Sequence, residues 1–322
     1  MKHFMLLGIL VFVISVSGCT TFPFNIFTPV ATGTSDVIII KDLTAIPSKI
    51  SAGQQTRITA NIQNLGADPI QDFGPIEVTL FDYCEGLFTI ESLDCPNPGN
   101  DNNVKETCII NDLLPQEIKQ VSWVLSPDSE LKLPITCPED GMKVFVRYPY
   151  TTNGLTTITF INPIELERQL QQNTYSEQQS ATSLGEGPLK AVLTVEDQQP
   201  VPAAREGKPT TTTISLQIQN KGQGFPVAFE TDQGEKFHVQ DVTVTFPDGI
   251  RPAESGECRF KTGTLDKPVR LIREESSKLL CEIDTLSETE VAKETTRTIQ
   301  VEMSYEYEFR DSVKVEVTPL GF

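Results

Sequence analysis

Ile299-Gln-Val301-Glu-Met303-Ser-Tyr305-Glu-Tyr307-Glu-Phe309 decides the fold class, because large apolar side chains fill every second position and polar ones fill the positions between. Period two puts the apolar set on one face of an extended chain, whereas a helix would scatter it. After Arg310-Asp311 the alternation resumes at Val313, Val315 and Val317, so the stretch predicts a half-buried hairpin. Earlier in the chain Met142, Val144, Val146, Tyr148 and Tyr150 alternate in the same way and run into Asn153-Gly154. That dipeptide favours a type I′ turn, which makes Leu155 to Ile161 the returning strand of a second hairpin.

Working outward, the chain repeats itself once. Ile58-Thr-Ala-Asn-Ile62-Gln63-Asn64-Leu-Gly66 matches Ile214-Ser-Leu-Gln-Ile218-Gln219-Asn220-Lys-Gly222, and Val144-Phe-Val146-Arg-Tyr148-Pro-Tyr150 matches Val301-Glu-Met303-Ser-Tyr305-Glu-Tyr307. Both anchors keep nearly the same separation in each half, which predicts two similar domains in tandem. Asn64-Leu-Gly66 and Asn220-Lys-Gly222 follow β-branched runs and read as strand-end punctuation at residues that tolerate positive φ. Further strands are expected at Val37 to Leu43, Gln55 to Gln63, Ile76 to Tyr83 and Ile118 to Leu125 in the first half. The second half offers Leu189 to Val195, Thr211 to Gln219, His238 to Phe246, Cys258 to Lys261 and Lys278 to Ile283.

The expected fold is all-β, with two tandem immunoglobulin-like β-sandwiches over residues 36–163 and 188–322. Residues 164–187 between them are polar and Gln-rich, read as an exposed linker that opens with a short helix capped by Asn162 with Pro163 in its first turn. Trp123, the single tryptophan, lies in a late strand, so the antibody pattern of an early tryptophan beside paired cysteines fails. The Ile-x-Asn-x-Gly phrase after a strand, together with Leu114-Pro115-Gln116-Glu117 leading into Val121-Ser-Trp-Val-Leu125, resembles the immunoglobulin-like, adhesion-related (CARDB-like) modules found in tandem on prokaryotic surface proteins. The resemblance covers both halves and implies a spacer, adhesion or envelope-structural role. It brings no catalytic residues with it.

The N-terminus reads as an address. Lys2 and His3 precede an uncharged run from Phe4 to Val16, then small residues Ser17 and Gly18, then Cys19. A positive start, a short apolar core and a small-residue cleavage region make residues 1–18 a signal peptide, and the run is shorter than the roughly 20 residues of a membrane span. Val16-Ser-Gly-Cys19 resembles the lipobox of prokaryotic lipoproteins, with Val16 where leucine is commoner. The resemblance implies lipid attached to the Cys19 thiol and a chain held on the outer face of the cytoplasmic membrane or the cell surface. Cleavage with release, or an uncleaved anchor, are the alternatives, and Pro23 and Pro29 oppose one long helix there. In the following tether, residues 19–35, Phe22, Phe24 and Ile26 alternate. They fit the lipid interface, or a donor strand that completes a neighbouring sandwich and builds a filament or surface layer.

Seven cysteines leave an even six once Cys19 is set aside, and even sets in an exported chain read as disulfides. Cys258 and Cys281 pair if each half closes on itself. Cys84, Cys95, Cys108 and Cys137 allow three connectivities; the polar loop Pro96 to Lys105 favours Cys95 with Cys108, leaving Cys84 with Cys137.

Chemistry is sparse. A formal charge of -18 repels nucleic acid. Of two histidines, His238 sits in an expected strand with no nucleophile elbow nearby. Neither C-x-x-C spacing nor a calcium-loop pattern appears, since the run Asn97 to Asn103 lacks alternating acids and a terminal Glu. No catalytic residue, cofactor or metal is assigned. The chain is expected to be a non-enzymatic surface module that meets membrane lipid through Cys19 and a protein or glycan partner, with self-assembly as the rival. An envelope hydrolase or accessory ligand-binding domain is the second rival.

Overall fold

The computed structural model describes residues 35–67, 74–96, 105–230, 234–236, 238–239, 241–254, 258, 263–264, 269–272 and 274–319, with backbone alone at 137–139, 228–230, 234–236, 238 and 263–264. The first half supplies β1 (Ile38–Ile46), β2 (Lys49–Ser51), β3 (Thr56–Asn64), β4 (Ile76–Phe81), β5 (Phe88–Asp94), β6 (Thr107–Ile110), β7 (Ile118–Pro127) and β8 (Ile135–Ile161). Helix α1 (Pro163–Gln171) comes next. The second half supplies β9 (Thr182–Leu184), β10 (Leu189–Val195), β11 (Val201–Pro202), β12 (Thr211–Asn220), β13 (Phe225–Glu230), β14 (Gly234–Lys236) and β15 (His238–Val239). It ends with β16 (Asp241–Thr245), β17 (Gly263–Thr264), β18 (Val269–Ile272), β19 (Glu275–Ser276), β20 (Leu279–Asp284) and β21 (Glu294–Thr318). The fold is all-β.

Neither expected hairpin forms. β8 runs straight through Asn153-Gly154 and β21 straight through Arg310-Asp311, and the two long strands pair with each other, antiparallel, from Ile161 with Glu294 to Ile135 with Val317. A turn signal is local, and here a partner from the other half overrides it. Gly154 serves a different need: a Cβ there would lie 3.1 Å from the Ala191 carbonyl of β10, so the small residue lets that strand cross close by. The one irregularity is a bulge where Val313 faces Met142 and Val315 faces Cys137, with Gly141 at φ 103°.

The β8–β21 ribbon forms the middle of an 11-stranded sheet. On the first-half side β4 pairs with β8 and β6 with β4; on the second-half side β16 and β13 pair with β21. Two smaller sheets pack their apolar faces on this one, β1-β3-β7-β5 and a second set built on β10 and β12 with β20, β19, β18 and β15. Period two decides which side chains enter: Val144, Val146, Tyr148 and Tyr150 of β8 and Val301, Met303, Tyr305 and Tyr307 of β21 are all buried. The buried apolar residues of the two halves form one continuous core.

Two connections tie the halves further. β2 adds in parallel to the end of β21, Lys49 to Glu316 through Ser51 to Thr318. The polar stretch after β8 begins with the expected helix, whose Asn162 side chain accepts from the Ile164 N–H at 3.0 Å and donates to the Glu288 and Val291 carbonyls. Beyond it β9 pairs along β8, so this exposed stretch lies against the sheet. Cys258 makes an isolated bridge to Cys281, and the rest of the strand expected from Cys258 to Lys261 lies outside the described residues.

Candidate functional site

The repeat places equivalent residues in contact across the ribbon. Tyr148 and Tyr305 are counterparts, as are Tyr150 and Tyr307, and the register opposes Tyr148 with Tyr307 and Tyr150 with Tyr305. The junction is therefore isologous in the manner of a twofold dimer, but within one chain. Ring centroids stand 5.9 to 6.4 Å apart around the four-tyrosine cluster, in tilted and edge contacts. The hydroxyls repeat as well: Tyr148 Oη accepts from the Ile38 N–H at 3.5 Å and Tyr305 Oη from the Leu189 N–H at 3.4 Å, the two donors being the first residues of β1 and β10. Burial pushes the Tyr148, Tyr305 and Tyr307 hydroxyls well above the ordinary phenol range, so they remain neutral donors and acceptors.

The Asn-x-Gly turns flank this cluster, and their role differs from the one expected. Neither Asn64, Gly66, Asn220 nor Gly222 has a positive φ. Each asparagine is buried and accepts from the glycine N–H two residues on, at 2.8 Å from Gly66 and 3.1 Å from Gly222. Its amide nitrogen donates in turn to Leu113 O in the first half and Gly224 O in the second. The glycines are needed for space. A Cβ on Gly66 would stand 2.7 Å from Val37 Cγ1, and one on Gly222 would overlap Asp36 Oδ1 and the Tyr307 hydroxyl.

At Asp36 the twofold likeness breaks. Leu65 N–H donates to Val37 O and Lys221 N–H to Pro188 O, each at 2.7 Å, which makes Val37 and Pro188 counterparts and sets Asp36 against Gly187. Asp36 is 3% exposed and accepts from the Gln223 N–H of the other half. Gly187 leaves no room for a side chain, because the Tyr150 ring and Thr152 hydroxyl occupy it. A cleft of about 490 Å³ opens beside Asp36, walled by Gly66, Gln116, Glu186, Gly187 and Lys190.

The outer face of the ribbon carries a second polar group. Glu308 is fully buried; its Oε2 accepts from Arg147 Nη2 at 2.6 Å and Nε at 3.1 Å, and Arg310 Nε reaches its other oxygen. Arg147 lies over the Phe145 ring at 4.9 Å and Arg310 over Phe225 at 4.8 Å. Glu308 thus joins an arginine of each long strand.

Cys95 is bonded to Cys108 and Cys258 to Cys281, with Cα atoms 5.7 and 3.9 Å apart. Cys84 is also disulfide-bonded, while the side chain of Cys137, its expected partner, lies outside the described residues. So do Cys19, Phe22, Phe24 and Ile26, the loop Asn97 to Asn103 and the His238 side chain; His238 of β15 pairs by backbone with Arg270 of β18. Among the described residues no group of His, Cys, Asp or Glu is arranged to hold a metal ion, and no helix is long and apolar enough to cross a membrane. The junction itself went unread as a site in the sequence, although the doubled Tyr-x-Tyr at matching repeat positions was its signal. No family model matches the chain, and no curated protein matches it.

Proposed function

We propose that the protein is a non-catalytic, exported module of the cell envelope, held to membrane lipid through Cys19 and presenting a stiff double β-sandwich to a protein or glycan partner at the surface. The observation that carries this reading is the junction, where the two halves of the chain share one sheet and one core. Two disulfides at the outer strands fit an oxidising compartment. The neutral tyrosines at the centre make hydrogen bonds and packing contacts.

Native protein extracted from the envelope without reductant tests the reading. Discrete detergent-bound particles are expected, with Cys19→Ala moving the protein to the detergent-free fraction. Filaments or sheets that vanish when residues 20–30 are deleted would replace it with a subunit assembling through Phe22, Phe24 and Ile26. Hydrolysis of envelope glycan by the purified chain would overturn the non-catalytic role.

A further inference from the structure

The Asp36 corner turns on one shared hydrogen. Tyr307 has a single hydroxyl hydrogen, and it faces both Asn220 Oδ1, at 2.9 Å, and the Asp36 carboxylate. The Gln223 and Gly224 N–H groups serve Asp36 and the Gly222 N–H serves Asn220, which leaves Tyr307 to satisfy one of its two acceptors and turn a lone pair toward the other. One additional proton on Asp36 completes a chain, Asp36 O–H to Tyr307 Oη and Tyr307 O–H to Asn220 Oδ1, with the Gln223 contact kept. We propose that Asp36 is a proton-operated latch between the two halves: mild acidification protonates its carboxyl and tightens the junction at the entry to β1.

The fold does not require this carboxylate. Its counterpart in the repeat is Gly187, where the same turn and the same tyrosine pair close without an acid. The charged and titratable groups around Asp36 come from each neighbouring element: Tyr307, Tyr305 and Tyr148 from the ribbon, Glu186 and Lys190 across the cleft, and Lys221 from the turn before Gln223. Lys190 donates to the Gly185 carbonyl, and no Lys or Arg is among the groups that act on Asp36. Burial raises the Asp36 carboxyl above the usual carboxylate range, and the bonds from Gln223, Tyr307 and Gly224 only partly oppose this. The sign follows by linkage. A carboxyl that holds its proton more tightly when folded adds stability that is fully present below its unfolded value and is lost as pH rises through its folded value.

Two measurements on the full chain decide the matter. The first compares thermal midpoints of the parent protein and Asp36→Asn, a neutral stand-in for the protonated acid, from about pH 4 to about pH 7. Relative to the variant, the parent should lose about 2 °C or more as pH rises. A difference that is constant, or that favours the parent increasingly at higher pH, overturns the proposal. The second follows the Asp36 carboxyl carbon by nuclear magnetic resonance and needs no variant to fold. Titration above the ordinary aspartate value supports the latch, and titration at or below it rejects the latch.

Discussion

Along the junction β8 and β21 are held by main-chain pairing, the four buried tyrosines and Glu308 between two arginines, whereas the outer strands carry covalent staples, Cys95–Cys108 and Cys258–Cys281. β5 ends one sheet and β6 ends the facing one, so the first staple joins strands that lack a neighbour on one side. Edge strands lose order most readily, and a disulfide limits what they gain by fraying. The junction has neighbours on both sides and is closed by strand pairing, packing and the Glu308 ion pairs. The difference teaches where each half is incomplete by itself: its outer edge needs a crosslink and its inner edge needs the other half.

If that contrast holds, the largest effect comes from breaking the junction. Glu308→Ala takes away the buried carboxylate that Arg147 and Arg310 share, leaving Arg147 the longer 4.0 Å approach to Glu77, and should cost about 3 to 5 kcal/mol. Calorimetry should show one transition for the whole body moving down; a second transition left in place would mean that the halves fold separately. Replacing Cys258 and Cys281 together by alanine should cost about 2 to 4 kcal/mol, again lowering the single transition, and a shift confined to part of the heat absorption would break the comparison.

Gly222→Ala should destabilise by about 1 to 3 kcal/mol in urea titration, because the added methyl meets both Asp36 and Tyr307. Gly66→Ala should cost less, as it presses mainly on a Val37 methyl, and equal costs would remove the asymmetry claimed for the Asp36 corner. Tyr305→Phe is the mildest, about 1 kcal/mol, since it removes the Thr152 bond at 2.8 Å and the acceptor for Leu189 N–H while keeping the ring.

Much of this architecture was legible in the chain. Period-two alternation located β3, β7, β10, β12 and the two long strands, and Asn162-Pro163 marked the start of α1. What failed was the reversal at Asn153-Gly154 and Arg310-Asp311, because turn propensity speaks only for a few residues while the partner of β8 lies more than a hundred residues away. Asn-x-Gly was recognised as a strand end, yet its physical basis, a buried asparagine side chain and a close approach to Val37 or Asp36, depends on neighbours that no local pattern records. The Asp36 corner could not be read at all. Asp36 is an ordinary aspartate in the sequence, and only the fold sets it against Gln223 and Tyr307.

The pairing of β8 with β21 also sets an order of events during synthesis. β8 is complete when residue 161 has been made, but its long inner edge has no partner until residues 294–318 follow. Contacts of such sequence separation form late and slowly, and an uncovered strand edge invites pairing with the wrong chain. A chain cut short before Glu294 would carry that open edge permanently, so the inner edge of β8 is covered only once β21 has been made.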